Sequence, residues 1–315
     1  MLRAFFARHP FMWFKNLVVY RLPADWAISA PELEERLNTR VLQPCGPFDM
    51  LSRGWVAPSS TGRLVHTVGL QQLIALGVNQ KLLPASIIRQ VTAERAQALA
   101  QEQGLPVGRR QMRDLKMRVT EELRAKALTR RRITRAWIDP TNGWLIVDAA
   151  GVAKAEELIE ILRDTLDTLA VQPIETERSP QMSMAVWLKL GAAPLRLTID
   201  QDLELRAANE SKAAIRYTRH PLDGKEIQAH MAAGMYPRQL GLTWNDRIAF
   251  VLNEKLQLKR LEFLEMSKDS AAGGELDEAE QFDIDFTVMT GELAKLLDDI
   301  VTALGPQEQQ RAAAA

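Results

Sequence analysis

The feature that most constrains the fold is a pair of long helical patterns set between segments with the apolar spacing of strands. The first pattern opens at Pro84, which suits a first helical turn, and the second runs from Arg109 to about Leu128. Glycine and proline within residues 104–108 separate them. Two legs of about 20 residues joined by so short a break form an antiparallel hairpin roughly 30 Å long. The sequence therefore predicts a helical arm that projects from the body.

The rest of the chain alternates strand and helix patterns, which predicts an α+β fold built from antiparallel hairpins. Asn142-Gly143 lies between two apolar runs and supplies the positive φ of a hairpin turn. The predicted strands are residues 13–22, 64–68, 70–78, 133–139 and 144–148, with more around 195–199 and 248–258, and the predicted helices of the body are a short one near residues 31–37 and residues 153–169, 182–190 and 282–304.

These breaks divide the chain into consecutive parts. They are an N-terminal extension (1–11), an α+β body segment (12–83), the basic helical arm (84–132), a βα continuation of the body (133–175), a second α+β lobe (176–245), a C-terminal hairpin and helix (246–305) and a disordered tail (306–315). An acidic stretch rich in glycine and alanine, residues 267–280, is expected to be a mobile loop.

Charge is segregated along the chain although the total is zero, with 40 basic and 40 acidic residues. Residues 109–135 hold eleven basic residues against three acidic ones, and residues 262–299 hold twelve acidic residues against two basic ones. A net charge of zero disfavours a uniformly basic coat protein, but two opposite poles allow one surface to bind a polyanion.

Most basic residues of the second arm helix fall on one arc. At 100° per residue, Arg109, Arg113, Lys116 and Arg124 lie within about 80° of one another, and an apolar stripe lies beside them. Arginine suits phosphate because its planar fork binds two oxygens, so the arc predicts phosphate contacts without base readout. The alternative is a solvated face, or an arm that pairs with an acidic protein surface.

The common catalytic signatures are absent from the sequence, which favours a protein that is not an enzyme and needs neither metal nor cofactor. His66 and the other histidines are expected in core or surface roles, and the tryptophans in the core. Acids between Asp277 and Asp285 could hold Mg²⁺ for a nuclease, but a solvated loop and helix start explain them better. No apolar run is long enough for a membrane span, and the single cysteine, Cys45, suits the cytoplasm.

Several segments together resemble the bacterial recombination-associated RdgC family. They begin with Met12-Trp-Phe-Lys-Asn-Leu-Val-Val-Tyr-Arg-Leu22, Pro44-Cys-Gly, Asp49-Met50 and Gly54-Trp-Val56, and continue with Trp137-Ile-Asp-Pro-Thr-Asn-Gly143, Val147-Asp148, Phe282-Asp-Ile-Asp-Phe286 and Met289-Thr-Gly-Glu-Leu-Ala294. The resemblance spans residues 12–304. It implies a curved α+β monomer that forms a ring-shaped homodimer, encircles duplex DNA with little sequence preference and restrains the RecA recombinase. Such a protein would be nucleoid-associated, and single-stranded DNA is a second candidate ligand.

The resemblance also implies roles for individual residues. The family's gate phenylalanine aligns with Leu128, and its Lys-Gln pair aligns with Arg219-His220, so these three residues are the predicted dimer gate. Lys81 and Lys126 match basic family positions. With the residues of the arc, the full predicted DNA-binding set is Lys81, Arg109, Arg110, Arg113, Lys116, Arg124, Lys126, Arg130, Arg131 and Arg132.

Overall fold

The computed structural model describes residues 13–167, 169–210, 212–264 and 277–305. The predicted extension, the predicted tail and most of the predicted acidic loop lie outside these ranges. Within them the chain forms β1 Asn16–Arg21, α1 Ala30–Asn38, β2 Leu51–Val56, β3 Val65–Val68, β4 Gln71–Lys81, α2 Ala85–Gln103, α3 Arg109–Lys126, β5 Thr129–Asp139, β6 Trp144–Asp148 and α4 Val152–Leu166. The second half forms β7 Gln172–Pro173, α5 Pro180–Leu190, β8 Leu197–Ala207, β9 Ala214–Tyr217, α6 Lys225–Ala232, β10 Met235–Trp244, β11 Ile248–Asn253, β12 Leu258–Phe263 and α7 Glu278–Leu304.

The strands form one open sheet, and every strand pair in it is antiparallel. The order is β2-β4-β5-β6-β1-β12-β11-β10-β8-β9, while β3 pairs with β4 and β7 pairs with β1. The α+β class and the antiparallel hairpins are thus confirmed. The strands of residues 176–245 extend this sheet, and β1 joins the two halves through the register pairs Asn16↔Lys259 and Leu17↔Leu258.

Side-chain alternation along the strands creates a hydrophobic core on each face of the N-terminal half of the sheet. On β1, Leu17 and Val19 enter one core, whereas Val18 and Tyr20 enter the other. Helices α1 and α4 cover the second core, while α5 and α7 cover the first, which continues across the C-terminal half. Of the tryptophans predicted in the core, Trp55, Trp137 and Trp144 are buried, whereas Trp13 is half-buried and packs against the first core.

The arm is an insertion in the β4–β5 hairpin, whose ten register pairs end at Lys81↔Thr129. One further backbone hydrogen bond, from Leu82 N to Leu128 O at 2.8 Å, closes its base. Helix α2 ends at Gln103 and is capped by Gly104, whose φ of +71° is a left-handed conformation that glycine adopts without strain. The two predicted helices of the arm are therefore present, anchored on the longest ladder of the sheet.

The arm differs from the prediction at its C-terminal end. The predicted arm, residues 84–132, includes Arg130, Arg131 and Arg132, but α3 ends at Lys126 and all three arginines lie in strand β5 of the sheet. They pair with Gln80, Asn79 and Val78 of β4. The local sequence favours neither helix nor strand at these three positions, so pairing with the distant strand β4 determines that they are extended.

Candidate nucleic-acid interface

The basic arc of α3 borders a shallow groove and is solvent-facing at Arg109, Arg113 and Lys116, whereas Arg124 is half-buried. The groove encloses about 290 Å³ and is lined by Arg113, Lys116, Met117, Thr120, Glu121 and Arg124. On the neighbouring side of the helix, Val119 is buried, opposite Thr92 and Ala96 of α2, which are also buried. One side of α3 docks on α2 while the next presents cations, as the sequence predicted.

Part of the arm's positive charge is neutralised within the arm. Glu122 lies 3.0 Å from Lys126 Nζ and 2.7 Å from Arg95 Nη2, and hydrogen bonds from these two groups lower the pKa of Glu122. Arg113 lies 3.9 Å from Asp114. By contrast, Arg109, Arg110 and Lys116 are exposed and have no ion-pair partner in the part of the chain that the structure describes. These three cations are therefore available to an external anion.

Arg130, Arg131 and Arg132 of β5 are divided between the two faces of the sheet, because successive residues of a strand alternate. Arg132 pairs with Glu157 of α4, which also binds Arg53 at 3.0 Å and Lys154 at 3.2 Å. Burial raises the pKa of Glu157, but these cations outweigh it and the net shift is downward. Arg132 is thus compensated by an acid of its own chain.

Within the described ranges, the side chains of Arg130 and Arg131 donate hydrogen bonds to neutral partners and form no ion pair. Arg130 Nη2 donates to Gln80 Oε1 at 3.4 Å, and Arg131 Nε donates to Asn79 Oδ1 at 3.1 Å. Both side chains are exposed. They lie at the base of the arm, on opposite faces of the sheet.

Lys81 lies apart from the exposed cations because its side chain is buried, with 6% exposure. Its Nζ donates to Gly46 O at 2.6 Å and to Pro47 O at 3.1 Å. A phosphate cannot reach an ammonium group held in this way without displacing the loop. In this structure Lys81 fixes a loop, and it is not part of the solvent-facing set.

The predicted gate residues are not brought together within one chain. Leu128 is 79% exposed at the base of the arm, just before β5. Arg219 and His220 follow β9 at the edge of the sheet, and six strands separate β5 from β9 in the sheet order. Arg219 has a φ of +51°, and its backbone N donates to Asp202 Oδ1 at 3.2 Å. Leu128, Arg219 and His220 are all exposed.

The other chemically capable residues have structural partners. His66 is buried with its Nε2 3.1 Å from Asp283 Oδ1, in the core role that the sequence predicted. Cys45 is half-buried and donates through Sγ to Asn79 O at 3.3 Å. Among the described residues, no three or more histidine, cysteine or acidic side chains cluster with the geometry of a metal site. No helix in the same ranges is long and apolar enough to span a membrane.

Sequence reasoning missed two residues that shape this surface. Glu157 organises Arg53, Arg132 and Lys154, but its partners are distant in sequence and no local pattern connects them. Phe48 lies in a loop rich in glycine and proline and is 74% exposed beside α3. The signal that could have identified Phe48 is the presence of an aromatic residue in a loop of this composition.

Comparison with known proteins gives a consistent result along nearly the whole chain. The family model described as "Putative exonuclease, RdgC" matches residues 12–307. A protein of Dechloromonas aromatica named "Recombination-associated protein RdgC" is 50% identical over 297 residues, which cover 93% of this chain and 98% of the relative. Relatives with the same name from Cupriavidus pinatubonensis and a Janthinobacterium species are 45% and 43% identical, each over 95% of this chain and 100% of the relative.

Proposed function

This chain belongs to the RdgC family of recombination-associated proteins, and from that premise we propose that it binds DNA with little sequence preference and acts without cutting it. The observation that carries the proposal is the row of solvent-facing cations on α3. Arg109, Arg110 and Lys116 have no acidic partner in the described ranges, and Arg113 and Arg124 line the adjoining groove. Such an arrangement suits phosphates, which a duplex presents at regular spacing whatever its sequence.

We further propose that two copies form a ring around duplex DNA. In a ring with two-fold symmetry, every contact between the two copies occurs twice, with the roles of the subunits exchanged. One contact would set the exposed Leu128 against Arg219 of the partner subunit and His220 of the partner subunit. The cations of α3 would contribute to a positive inner surface, to which only one of Arg130 and Arg131 can add, because these two lie on opposite faces of the sheet. Lys81 and Arg132 are left out because each is bound within its own chain.

The biological effect that we propose is occlusion in the cytoplasm, on the nucleoid. DNA inside such a ring is a poor substrate for growth of a RecA filament and for strand invasion, so bound protein restrains recombination. No chemical step is required of the protein. One competing function is a protein-interaction module whose basic arm binds an acidic partner. A second is an exonuclease, which the family description names. Each corresponds to a distinct outcome of the test below.

The deciding experiment incubates purified protein with labelled duplex DNA, with and without Mg²⁺, and reads both the mobility shift and strand integrity. If about six to ten phosphates are neutralised, affinity falls on the order of 10³- to 10⁵-fold between about 50 and 200 mM salt. An affinity that is flat across this range contradicts phosphate binding. Cleavage that depends on Mg²⁺ supports the exonuclease. If the protein causes no mobility shift and no cleavage, the protein-interaction module is supported.

Variants locate the interface. The double substitution Arg113→Glu with Lys116→Glu should weaken every duplex sequence alike. The matched control, Lys189→Glu with Lys225→Glu, makes the same charge change at exposed positions of α5 and α6. Equal loss in both variants would show that only net charge matters, and loss at one DNA sequence alone would contradict backbone recognition. In a strand-invasion assay, DNA bound by the wild type before RecA is added should give less product than DNA incubated with the arm variant.

A further inference from the structure

The loop that precedes β2 is a closed turn that displays an aromatic ring. Asp49 N donates to Gly46 O at 3.2 Å, and Gly46 N donates to Asp49 Oδ2 at 3.1 Å. Phe48 lies within this turn and is 74% exposed. The turn is therefore fixed by its own hydrogen bonds while its largest apolar side chain remains in solvent.

The sheet holds this turn from below. Lys81 Nζ donates to the carbonyls of Gly46 and Pro47 at 2.6 and 3.1 Å, and Lys81 N donates to Met50 O at 2.9 Å. A buried ammonium group is costly unless its donors are satisfied, so it binds these carbonyls firmly. Lys81 thus anchors the turn on the last rung of the β4–β5 ladder.

The cationic surface of α3 adjoins the same turn. Arg124 Nη1 donates to Phe48 O at 3.3 Å, and Arg124 also lines the groove with Arg113 and Lys116. Single exposed aliphatic side chains are common on protein surfaces. Among the large apolar side chains of the described residues that are exposed, however, Phe48 is the only aromatic one. An exposed ring and a row of cations on adjoining surfaces match the two parts of a nucleotide, a base and a phosphate.

We propose that Phe48 is a stacking platform for an unpaired base of single-stranded DNA, whose phosphates follow the cationic groove of α3. The inference rests on the proposed function and extends it to a second form of DNA. Proteins that bind single strands combine a positive groove with aromatic rings, because every base has a face on which a ring can stack. A duplex hides those faces, so Phe48 distinguishes the two forms.

A second copy of the chain is the competing occupant, since the exposed apolar residues Leu82 and Leu128 lie at the base of the same arm. The cations next to Phe48 favour a polyanion over another copy of this surface, which would bring like charges together. Lys81 is then a positioning residue that acts through the loop, which gives a role to a cation that solvent cannot reach.

The test compares Phe48→Ala with the wild type on an oligothymidylate and on a duplex of equal length. Single-strand affinity should fall on the order of 10-fold, while duplex affinity and the salt slope of both should stay unchanged because no cation is removed. Phe48→Tyr should restore single-strand binding. Leu70→Ala, which removes a side chain of similar exposure (69%) from a different turn, is the matched control. An oligonucleotide containing 2-aminopurine should lose fluorescence on binding the wild type, and less on binding Phe48→Ala.

Lys81→Met tests the positioning role. It should reproduce the single-strand defect of Phe48→Ala with an unchanged salt slope, whereas loss of a phosphate contact would reduce that slope by about 0.7 for a single strand. If Lys81→Met does not fold, as judged by its thermal transition, the Phe48 variants decide alone.

Other outcomes separate this inference from the proposed function. Wild-type protein that binds duplex but not oligothymidylate, or a Phe48→Ala variant with unaltered single-strand affinity, overturns the stacking platform and leaves duplex binding intact. A change of oligomeric state in Phe48→Ala, measured by light scattering, together with equal loss on both DNA forms, assigns Phe48 to a contact between copies. Failure of the wild type to bind any DNA overturns the proposed function itself.

Discussion

Arg95 of α2 and Glu122 of α3 form a 2.7 Å ion pair between the two legs of the arm. The same carboxylate accepts a hydrogen bond from Lys126 at 3.0 Å, one helical turn further on. Glu122 therefore has two effects: it links the helices, and it withholds two cations from the solvent-facing set. Removing its charge should favour binding of an external anion.

We predict that Glu122→Gln binds duplex DNA more tightly than the wild type. Freeing Arg95 and Lys126 should steepen the dependence of log affinity on log salt by roughly one to two, because each added phosphate contact contributes about 0.9. Glu94→Gln on α2 is the control, since it makes the same charge change where no ion pair is released. Equal slopes in the two variants would show that these cations do not reach DNA.

A second prediction concerns His66, which joins β3 to the start of α7. Its ring lies 4.6 Å from that of Phe282 and 5.6 Å from that of Phe286, with Asp283 at 3.1 Å. Burial lowers the pKa of His66, and the nearby charge of Asp283 opposes this only in part. The unfolded chain therefore binds a proton more readily than the folded one.

The free energy of unfolding should consequently fall as the pH drops below about 6.5 and through the lowered pKa of His66. In His66→Gln this part of the pH dependence should disappear, which urea unfolding at a series of pH values measures. Asp283→Asn removes the opposing charge and should make the loss steeper. A variant at His66 whose pH profile equals that of the wild type would contradict the assignment.

A third prediction concerns Asp299 of α7. It accepts two hydrogen bonds from Arg196, at 2.7 and 2.9 Å, and one from Trp244 Nε1 at 2.6 Å. The bonds from Arg196 are the main reason that the pKa of Asp299 is lowered. Its stabilising effect is therefore present above about pH 4 and is lost as the pH falls through the lowered value.

We expect Asp299→Asn to reduce the free energy of unfolding at neutral pH by about 1.5 to 3 kcal/mol, the range for hydrogen bonds to charged groups. It should also weaken the loss of stability on acidification below about pH 4. The exposed neighbour Asp298 supplies the control Asp298→Asn, which should change stability little. Chemical denaturation of both variants at neutral and acid pH checks the prediction.

The parts of this fold that could be predicted from the sequence are those that local chemistry decides. Pro84 and Gly104 bound α2 because one suits a first helical turn and the other tolerates a left-handed conformation. Asn142-Gly143 marks a hairpin for the same kind of reason. The arc of cations on α3 follows from residue spacing alone, and the structure presents it to solvent.

Features that depend on distant partners could not be predicted in this way. Strand β5 begins at Thr129 because β4 pairs with it. Since successive residues of a strand face opposite sides, this pairing places Arg130 and Arg131 on different faces of the sheet. Lysine side chains are usually exposed, yet Lys81 is buried because carbonyls of a loop more than thirty positions earlier accept its hydrogen bonds. Strand β2 could not be predicted because glycine at position 54 weakens its local strand pattern, and the strand depends on pairing with the distant β4.

That glycine supports a final prediction. Gly54 lies on β2 where the backbone of residues 40–42 crosses closely, with Trp55 N donating to Arg40 O at 2.9 Å and Leu42 N donating to Trp55 O at 3.0 Å. A Cβ at position 54 would stand 2.4 Å from Leu42 N and 2.5 Å from Leu42 Cα. Both are backbone atoms, so the clash cannot be relieved by rotating a side chain.

Gly54→Ala should therefore lower the free energy of unfolding by about 3 kcal/mol, at the upper end of the range for overpacked sites, or prevent folding. Gly151→Ala is the matched control, because an added Cβ there meets nothing within 4 Å and its backbone is extended. Urea unfolding of the two variants under the same conditions makes the comparison. A folded Gly54→Ala protein with near-normal stability would contradict this prediction and would mean that residues 40–42 can shift. Because these residues lead into the turn that carries Phe48, the affinity of such a variant for single-stranded DNA would report whether the turn shifts as well.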